Sequence, residues 1–333
     1  MTRRTLLALG GAAFVSRGQT ARSTVAVTHG DDRRTNVYHA LLAIDDQIRP
    51  RLAGKKYVLI KPNCVAVNNQ LGSTHADTLG AVLDYLEPRF RGPIVIADSS
   101  KDCTWDAFEN FRYQRVIAEH GGQRIRLVDL NEDPGFVTQQ IIDRNLHLTT
   151  VKLAGRLFDP DAFILGCAIL KAHDNVVATL SVKNLVMAAP LHNPRGEKTE
   201  WHHKYAYHSG YRNIQMNLAL TAARIQPFWG ATVIDGFEGM EGEGPLRGTP
   251  VPSRVAIAST DFVAADRIGV ELMGIDPAWM GYLRYCAASG LGCFDRSAID
   301  LRGETNLAPL VRTYKLHPRV NQQLEWMGDL PKA

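Results

Sequence analysis

Residues 161–186 read DAFILGCAILKAHDNVVATLSVKNLV, and the fold turns on how this stretch divides. The run 162–170 is apolar without a break, which suits a strand buried on both faces rather than one with a wet side. Lys171-Ala172-His173 then interrupts it with charge, and a second apolar run at 176–187 has the length of a helix. The same alternation continues in both directions along the chain. Short Val- and Ile-rich runs at 24–28, 57–61, 94–98, 125–129, 231–235 and 255–259 predict further strands. Longer amphipathic stretches at 34–49, 78–86, 105–120, 214–225, 262–273 and 277–288 predict helices between them. Such a pattern predicts an α/β fold with a mainly parallel sheet and helices on both faces, as one large domain or two intimate lobes.

In sheets of this kind ligands gather at the carboxyl ends of the strands. Polar clusters follow five of the predicted strands: Lys61-Pro62-Asn63, Asp98-Ser99-Ser100, Lys171-Ala172-His173, Asp235-Gly236 and Ser259-Thr260-Asp261. One such cluster is ordinary capping, but five predict a shared cleft. The segment 191–212, LHNPRGEKTEWHHKYAYHSGYR, is polar, rich in His and aromatic residues, and without clear periodicity. It reads as a long loop or lid over the sheet edge.

The chain has 333 residues, 45% hydrophobic and 22% charged, which is globular composition with ample material for a core. Its net charge of +4 comes largely from Arg3, Arg4 and Arg17, since residues 1–21 hold no acidic side chain. Without those three the balance is 35 basic to 34 acidic side chains, which excludes a nucleic-acid partner on charge grounds. Residues 1–21, MTRRTLLALGGAAFVSRGQTA, have a basic start, a short apolar run and a small-residue region. Arg3-Arg4 followed by Thr5-Leu6-Leu7 has the form of a twin-arginine signal. This predicts a signal at 1–21 before a single α/β domain at 22–333, engagement of the twin-arginine export machinery, and a periplasmic or other extracytoplasmic location. The apolar run 6–15 is half the roughly 20 residues that span a bilayer, and no later run approaches that length, so no stable membrane span is expected. Cys64, Cys103, Cys167, Cys286 and Cys293 are scattered with no C-x-x-C pair, which argues against an iron–sulfur cluster bound by this chain alone. A divalent metal stays open, because proteins exported folded often carry a cofactor.

Read in order, VLIKPN (58–63), STHADTL (73–79), IVIADSS (94–100), the 161–186 stretch, VIDGFEGMEGEGPLRGTP (233–250) and IASTDFVAADRIG (257–269) resemble the family named domain of unknown function 362. The likeness covers roughly residues 55–304. It implies no particular activity, since that family is named for lacking one. Two departures are Thr74-His75-Ala76, where many relatives read T-H-P, and Met187, where many have glycine. Some relatives carry ferredoxin-like cysteine clusters, which this chain does not.

Lys61, Lys171 and Lys183 lie in or beside apolar segments, where an ammonium is costly unless it meets an anion. Converging, they would bind a carboxylate, a phosphate or an oxyanion, and a desolvated one could act as base or imine-forming amine. Snorkelling at element ends is the alternative. Asn63, Asp98, Ser99 and Asn184 sit beside them as candidate binding groups. His75, His173 and His202 are candidate metal ligands, the first two also catalytic candidates with Asp235. In the glycine-rich loop, Glu238, Glu241 and Gly242 suit a metal- or amine-facing turn, or a merely solvated one. Asp261 reads as a helix N-cap with a possible ligand role, and Asp266, in an apolar run, calls for a lysine partner. The function expected is an exported enzyme, metal-dependent or not, acting on a small anionic organic substrate in the cleft. The alternative is an exported cofactor- or metabolite-binding or maturation protein without turnover.

Overall fold

The computed structural model describes residues 22–193 and 201–328. The predicted signal at 1–21 and part of the predicted lid, 194–200, lie outside those residues. The first half of the chain supplies strand β1 (Ser23–His29), helices α1 (Arg33–Leu42) and α2 (Asp45–Leu52), β2 (Tyr57–Lys61), α3 (Ala76–Leu86), β3 (Ile94–Asp98), α4 (Thr104–Asn110), α5 (Tyr113–Glu119) and β4 (Ile125–Asp129). A hairpin follows, β5 (Phe136–Ile142) and β6 (Leu148–Ala154), and then the long β7 (Ala162–His173). After it come β8 (Val177–Thr179), α6 (Ser181–Val186), α7 (His203–Tyr207), α8 (Tyr211–Ile225), β9 (Trp229–Glu241), β10 (Thr249–Val251), β11 (Val255–Ser259), α9 (Phe262–Leu272), α10 (Gly281–Ala288), β12 (Ile299–Gly303) and α11 (Val320–Gln323).

The main sheet runs β12-β1-β11-β9-β7-β2-β3-β4, with β10 added to β9 and β8 to β7. All twelve residues of β7 are buried, as the unbroken apolar run predicts, because β2 and β9 flank it in parallel. Along this path β11 alone is antiparallel to its neighbours β1 and β9. Strands from both ends of the described chain share this one sheet. Alternate residues of the strands feed two cores. Val58, Ile60, Ile94, Ile96, Phe163 and Leu165 pack under α1–α5, while Leu59, Val95, Ile164, Ala168 and Ile234 pack under α6, α8, α9, α10 and the hairpin. Helices thus cover both faces, and the fold is α/β with a mostly parallel sheet.

Several predicted helices are broken. The 34–49 stretch divides into α1 and α2, and 105–120 divides at Arg112, whose φ of 61° ends one helix before the next. In 176–187, residues 177–179 turn back as β8 against the end of β7, and only 181–186 are helical. The described part of the 191–212 segment is less irregular than expected, since α7 and the first two residues of α8 lie within it. Among the described residues no helix is long and apolar enough to cross a membrane.

Candidate functional site

Where β2 and β3 end side by side, a cavity of about 290 Å³ opens between them, the end of β7, α6 and α7. That volume sits at the lower edge of ordinary small-molecule sites, roughly 300–1,000 Å³. Lys61, Asn63, Asp98, Ser99, His173, Lys183 and Asn184 line it, together with Lys204, Tyr205 and His208 from α7 and its end. Cys64, Met187, Pro245 and Leu246 add apolar wall.

The floor is a relay of hydrogen bonds that fixes amide orientations. After β2 the chain turns back, so that the Asn63 N–H donates to Thr74 Oγ1 at 2.7 Å and the Thr74 N–H to Asn63 O at 2.8 Å. Lys171 Nζ, fully buried beneath the floor, donates to Asn63 Oδ1 at 2.6 Å and to Gly72 O at 2.7 Å. Asn63 Nδ2 therefore faces Asn184 Oδ1, at 2.7 Å, and Lys61 Nζ donates to the same oxygen at 2.6 Å. With two donors on Oδ1, the Asn184 amide has its NH₂ turned elsewhere. That Nδ2 is buried and has no hydrogen-bond partner among the described residues, and neither does Thr179 Oγ1 on the same cavity wall. Leaving a buried polar group unpaired costs roughly 1–3 kcal/mol, and both of these orphaned atoms belong to residues that line the same cavity.

Asp98 anchors the β3 side. Its carboxylate accepts the N–H groups of Cys64 (2.9 Å) and Ser99 (2.8 Å) and lies 3.2 Å from Lys61 Nζ. From α7, Lys204 Nζ donates to Ser99 Oγ at 2.7 Å and to Met187 O at 2.5 Å. Lys183 Nζ lies 3.1 Å from His208 Nε2. Burial is the main cause of the titration behaviour here. It pushes Lys183 and Lys204 down to about 7, and the Lys61 ammonium nearby adds to both effects. Burial also holds Lys171 well below the usual lysine range, and His208 down to about 3. His173 is held well below the imidazole range by burial and by Lys183. Its Nδ1 accepts the Asn175 N–H at 2.9 Å, so the 3.1 Å approach to Asp174 Oδ1 is not an ion pair.

Several sequence-predicted residues fall elsewhere. Because β11 runs antiparallel, Ser259-Thr260-Asp261 emerges at the opposite end of the sheet. Asp261 caps α9 through the N–H groups of Val263 and Ala264 and also accepts from Ser23 and Cys293. Asp235 lies within β9, which continues to Glu241, and accepts from Thr78 Oγ1 at 2.6 Å with Arg33 Nε at 3.2 Å. His75 caps α3 by accepting the Asp77 N–H. His202 stacks against Tyr205 and His192. The set His75, His173 and His202 is therefore not assembled, and among the described residues no three His, Cys, Asp or Glu side chains stand close enough to hold a metal. Glu238 is exposed, while Glu241 accepts the Lys315 N–H at 2.7 Å and the Gly242 N–H bonds Lys315 O. The glycine-rich loop reaches the cavity instead through Pro245 and Leu246. Gly244 is required there, since a Cβ would lie 2.0 Å from Ala172 O.

Asp266 meets no lysine. Fully buried, it accepts the N–H groups of Ser181 (2.7 Å) and Val182 (3.0 Å), which holds the start of α6 and hence Lys183 and Asn184. Asp266→Ala removes the acceptor from two buried amides, so a loss of about 2–4 kcal/mol is expected by urea denaturation. Lys204 and His208 are the cavity residues that carry chemistry and were read only as part of a polar lid. Nothing in the polar segment marks either of them in sequence; in the fold His208 Nδ1 lies 2.8 Å from Lys204 O.

The floor relay yields a separate expectation. Lys171→Met keeps the volume with an apolar chain but leaves the buried acceptors Asn63 Oδ1 and Gly72 O without this donor, so a loss of about 1–3 kcal/mol is expected. It also frees Asn63 and, through it, Asn184. The variant should melt a few degrees below wild type and bind anions more weakly, as titration with malonate would report.

Residues 58–271, well over half of the chain, match the family model described as Domain of unknown function (DUF362). A protein of Synechocystis sp. named as thylakoid-associated is 30% identical over 128 residues, 38% of this chain and 37% of its own length. The crystal structure of a Thermotoga maritima protein superposes with a TM-score of 0.40 at 9% identity, over 78% of this chain and 60% of that one. The chain thus spans less than two thirds of either.

Proposed function

Since the chain belongs to the DUF362 family, whose description assigns no activity, its role has to be read from the cleft, and we propose that it is an exported enzyme acting on a small anionic organic substrate. One observation carries this reading: Asn184, a residue of the cavity wall whose amide is oriented by Lys61 and Asn63, has a buried Nδ2 without a partner among the described residues. Lys61, Lys183 and Lys204 around it would hold the charge of a carboxylate or phosphate. His208, kept neutral by burial, turns its Nε2 toward Lys183, and His173, whose Nδ1 accepts the Asn175 N–H, carries its proton on Nε2 and would donate to the bound molecule. The small cavity suits a metabolite of a few carbons rather than a nucleotide.

Export rests on Arg3-Arg4 and the weak apolar run behind them. Replacing both arginines by lysine should leave the full chain inside the cell, with fractionation as the readout. For the cleft, protein from the exported fraction is expected to release a small carboxylate or phosphate compound on denaturation, identified by mass spectrometry. Malonate should raise the melting temperature of wild type and not of Asn184→Leu. Equal shifts for both proteins, or none for either, would sink the reading. A retained ligand with no product over time would make this a binding protein instead.

A further inference from the structure

Four lysines line the cavity, Lys101 exposed and the other three buried, and the buried three differ in what their head groups meet. Lys61 faces a carboxylate, Asp98, and Lys204 donates to a hydroxyl and a carbonyl. Lys183, nearly buried, meets the ring nitrogen of His208. The tautomer of that ring follows from its other contact. His208 Nδ1 lies 2.8 Å from Lys204 O, which can only accept, so the ring proton sits on Nδ1 and Nε2 turns a lone pair toward Lys183 Nζ. A lysine lining a cavity with a neutral base at its nitrogen, beside anion-binding groups, has the arrangement of an activated amine nucleophile.

We propose that Lys183 forms an imine with a 2-oxo acid bound in the cleft, a step that rests on the anion-binding reading above. The acid's carboxylate would lie on the Lys61 and Asn184 side of the cavity, with Thr179 on the same wall and the keto carbon toward Lys183. The Nζ lone pair attacks the keto carbon, and the C=O π pair moves to oxygen. A proton passes from nitrogen to that oxygen by way of His208 Nε2, giving a carbinolamine. The C–O bond then breaks, the hydroxyl leaves with the remaining amine hydrogen as water, and the C=N bond forms. Both amine hydrogens end in that water and no redox partner is needed. Burial supports the step by pushing Lys183 down to about 7, so that a substantial neutral fraction exists near neutrality.

The test is borohydride trapping with pyruvate on the full exported protein, followed by peptide mass mapping. One reduced pyruvyl adduct on Lys183, suppressed by excess malonate, is expected. His208→Phe should slow trapping by about 10²-fold. Lys183→Arg should lose the adduct, and should it fail to fold, the wild-type map decides alone. A malonate response without a Lys183 adduct, or labelling spread over surface lysines with no excess there, overturns the imine and leaves the anion site standing. No malonate response and no adduct overturns both.

Discussion

Asp98→Ala is expected to destabilise the protein by about 3–5 kcal/mol, more than removal of its partner Lys61. The carboxylate has three partners at once: Lys61 Nζ and the N–H groups of Cys64 and Ser99. Its loss leaves a buried ammonium facing only Asn184 Oδ1 and leaves two buried amides without acceptors. Lys61→Met is the milder change, because Asp98 keeps both amides and the lysine's volume is replaced; about 1–3 kcal/mol is expected. The double variant should therefore lose less than the sum of the singles, which makes the pair measurable as a coupling energy. Urea denaturation at constant slope reads this directly. If Asp98→Ala stayed within about 1 kcal/mol of wild type, the ion pair and its amide cradle would not be the anchor of the cleft.

How much of this cleft the sequence discloses follows from strand direction. A parallel strand buried on both faces writes itself as an unbroken apolar run with its polar residues at the carboxyl end, and Lys61, Asp98 and His173 obey that rule. The sequence carries no comparable mark of direction. The run at Val255–Ser259 looks like the others but runs the opposite way, so Asp261 was grouped with residues a whole strand length away. Asp235 misled for a related reason. The apolar run stops there, but backbone pairing carries β9 on to Glu241, so a residue that reads as a strand end is mid-strand and meets Arg33 and Thr78.

The contents of the cleft were half legible. Lys61, Lys171, Lys183, Asn63 and Asn184 stand out because polar groups inside apolar runs must find partners; all but Lys183 found one another, and Lys183 meets His208. That Lys171 would end below the floor, orienting Asn63 instead of touching a ligand, depends on the loop returning through Thr74 and Gly72, which leaves no local pattern. Asp266 was recognised as needing a partner, but a helix start offers paired N–H groups that sequence cannot distinguish from a lysine. Lys204 sits in a polar segment where one more lysine carries no signal. Only tertiary burial gives it meaning.

The same burial gives Lys183 and Lys204 two opposite pH dependences, and together these make the sharpest solution test of the cleft. Both are pushed down to about 7 in the folded chain from an ordinary value of 10.5. Between those limits the unfolded chain holds protons that the folded chain has lost, so stability of the ligand-free protein should rise with pH, and fall as pH drops toward 7. From pH 7 to 8.5 the gain is up to about 2 kcal/mol for each lysine. Above 9 the buried thiols of Cys167 and Cys286, pushed up by burial, oppose it, so the lower window is the informative one. The groups facing the two lysines do not interfere there. His208 and His173 are held well below 7, while Asp174 toward Lys183 and Asp98 and Asp129 toward Lys204 favour the charged ammonium forms. Anion binding runs the other way, since an anion needs the ammonium forms and must draw protons in as it binds. Sulfate, whose charge is constant across neutral and alkaline pH, should lose about tenfold in affinity per pH unit for each lysine that has to be charged. Calorimetric titration in Tris and in HEPES should show net proton uptake at pH 8. Sulfate affinity that is flat from pH 7 to 8.5, with no proton uptake, would mean that neither lysine meets the ligand, and would move the anion to Lys61 and Asn184 alone.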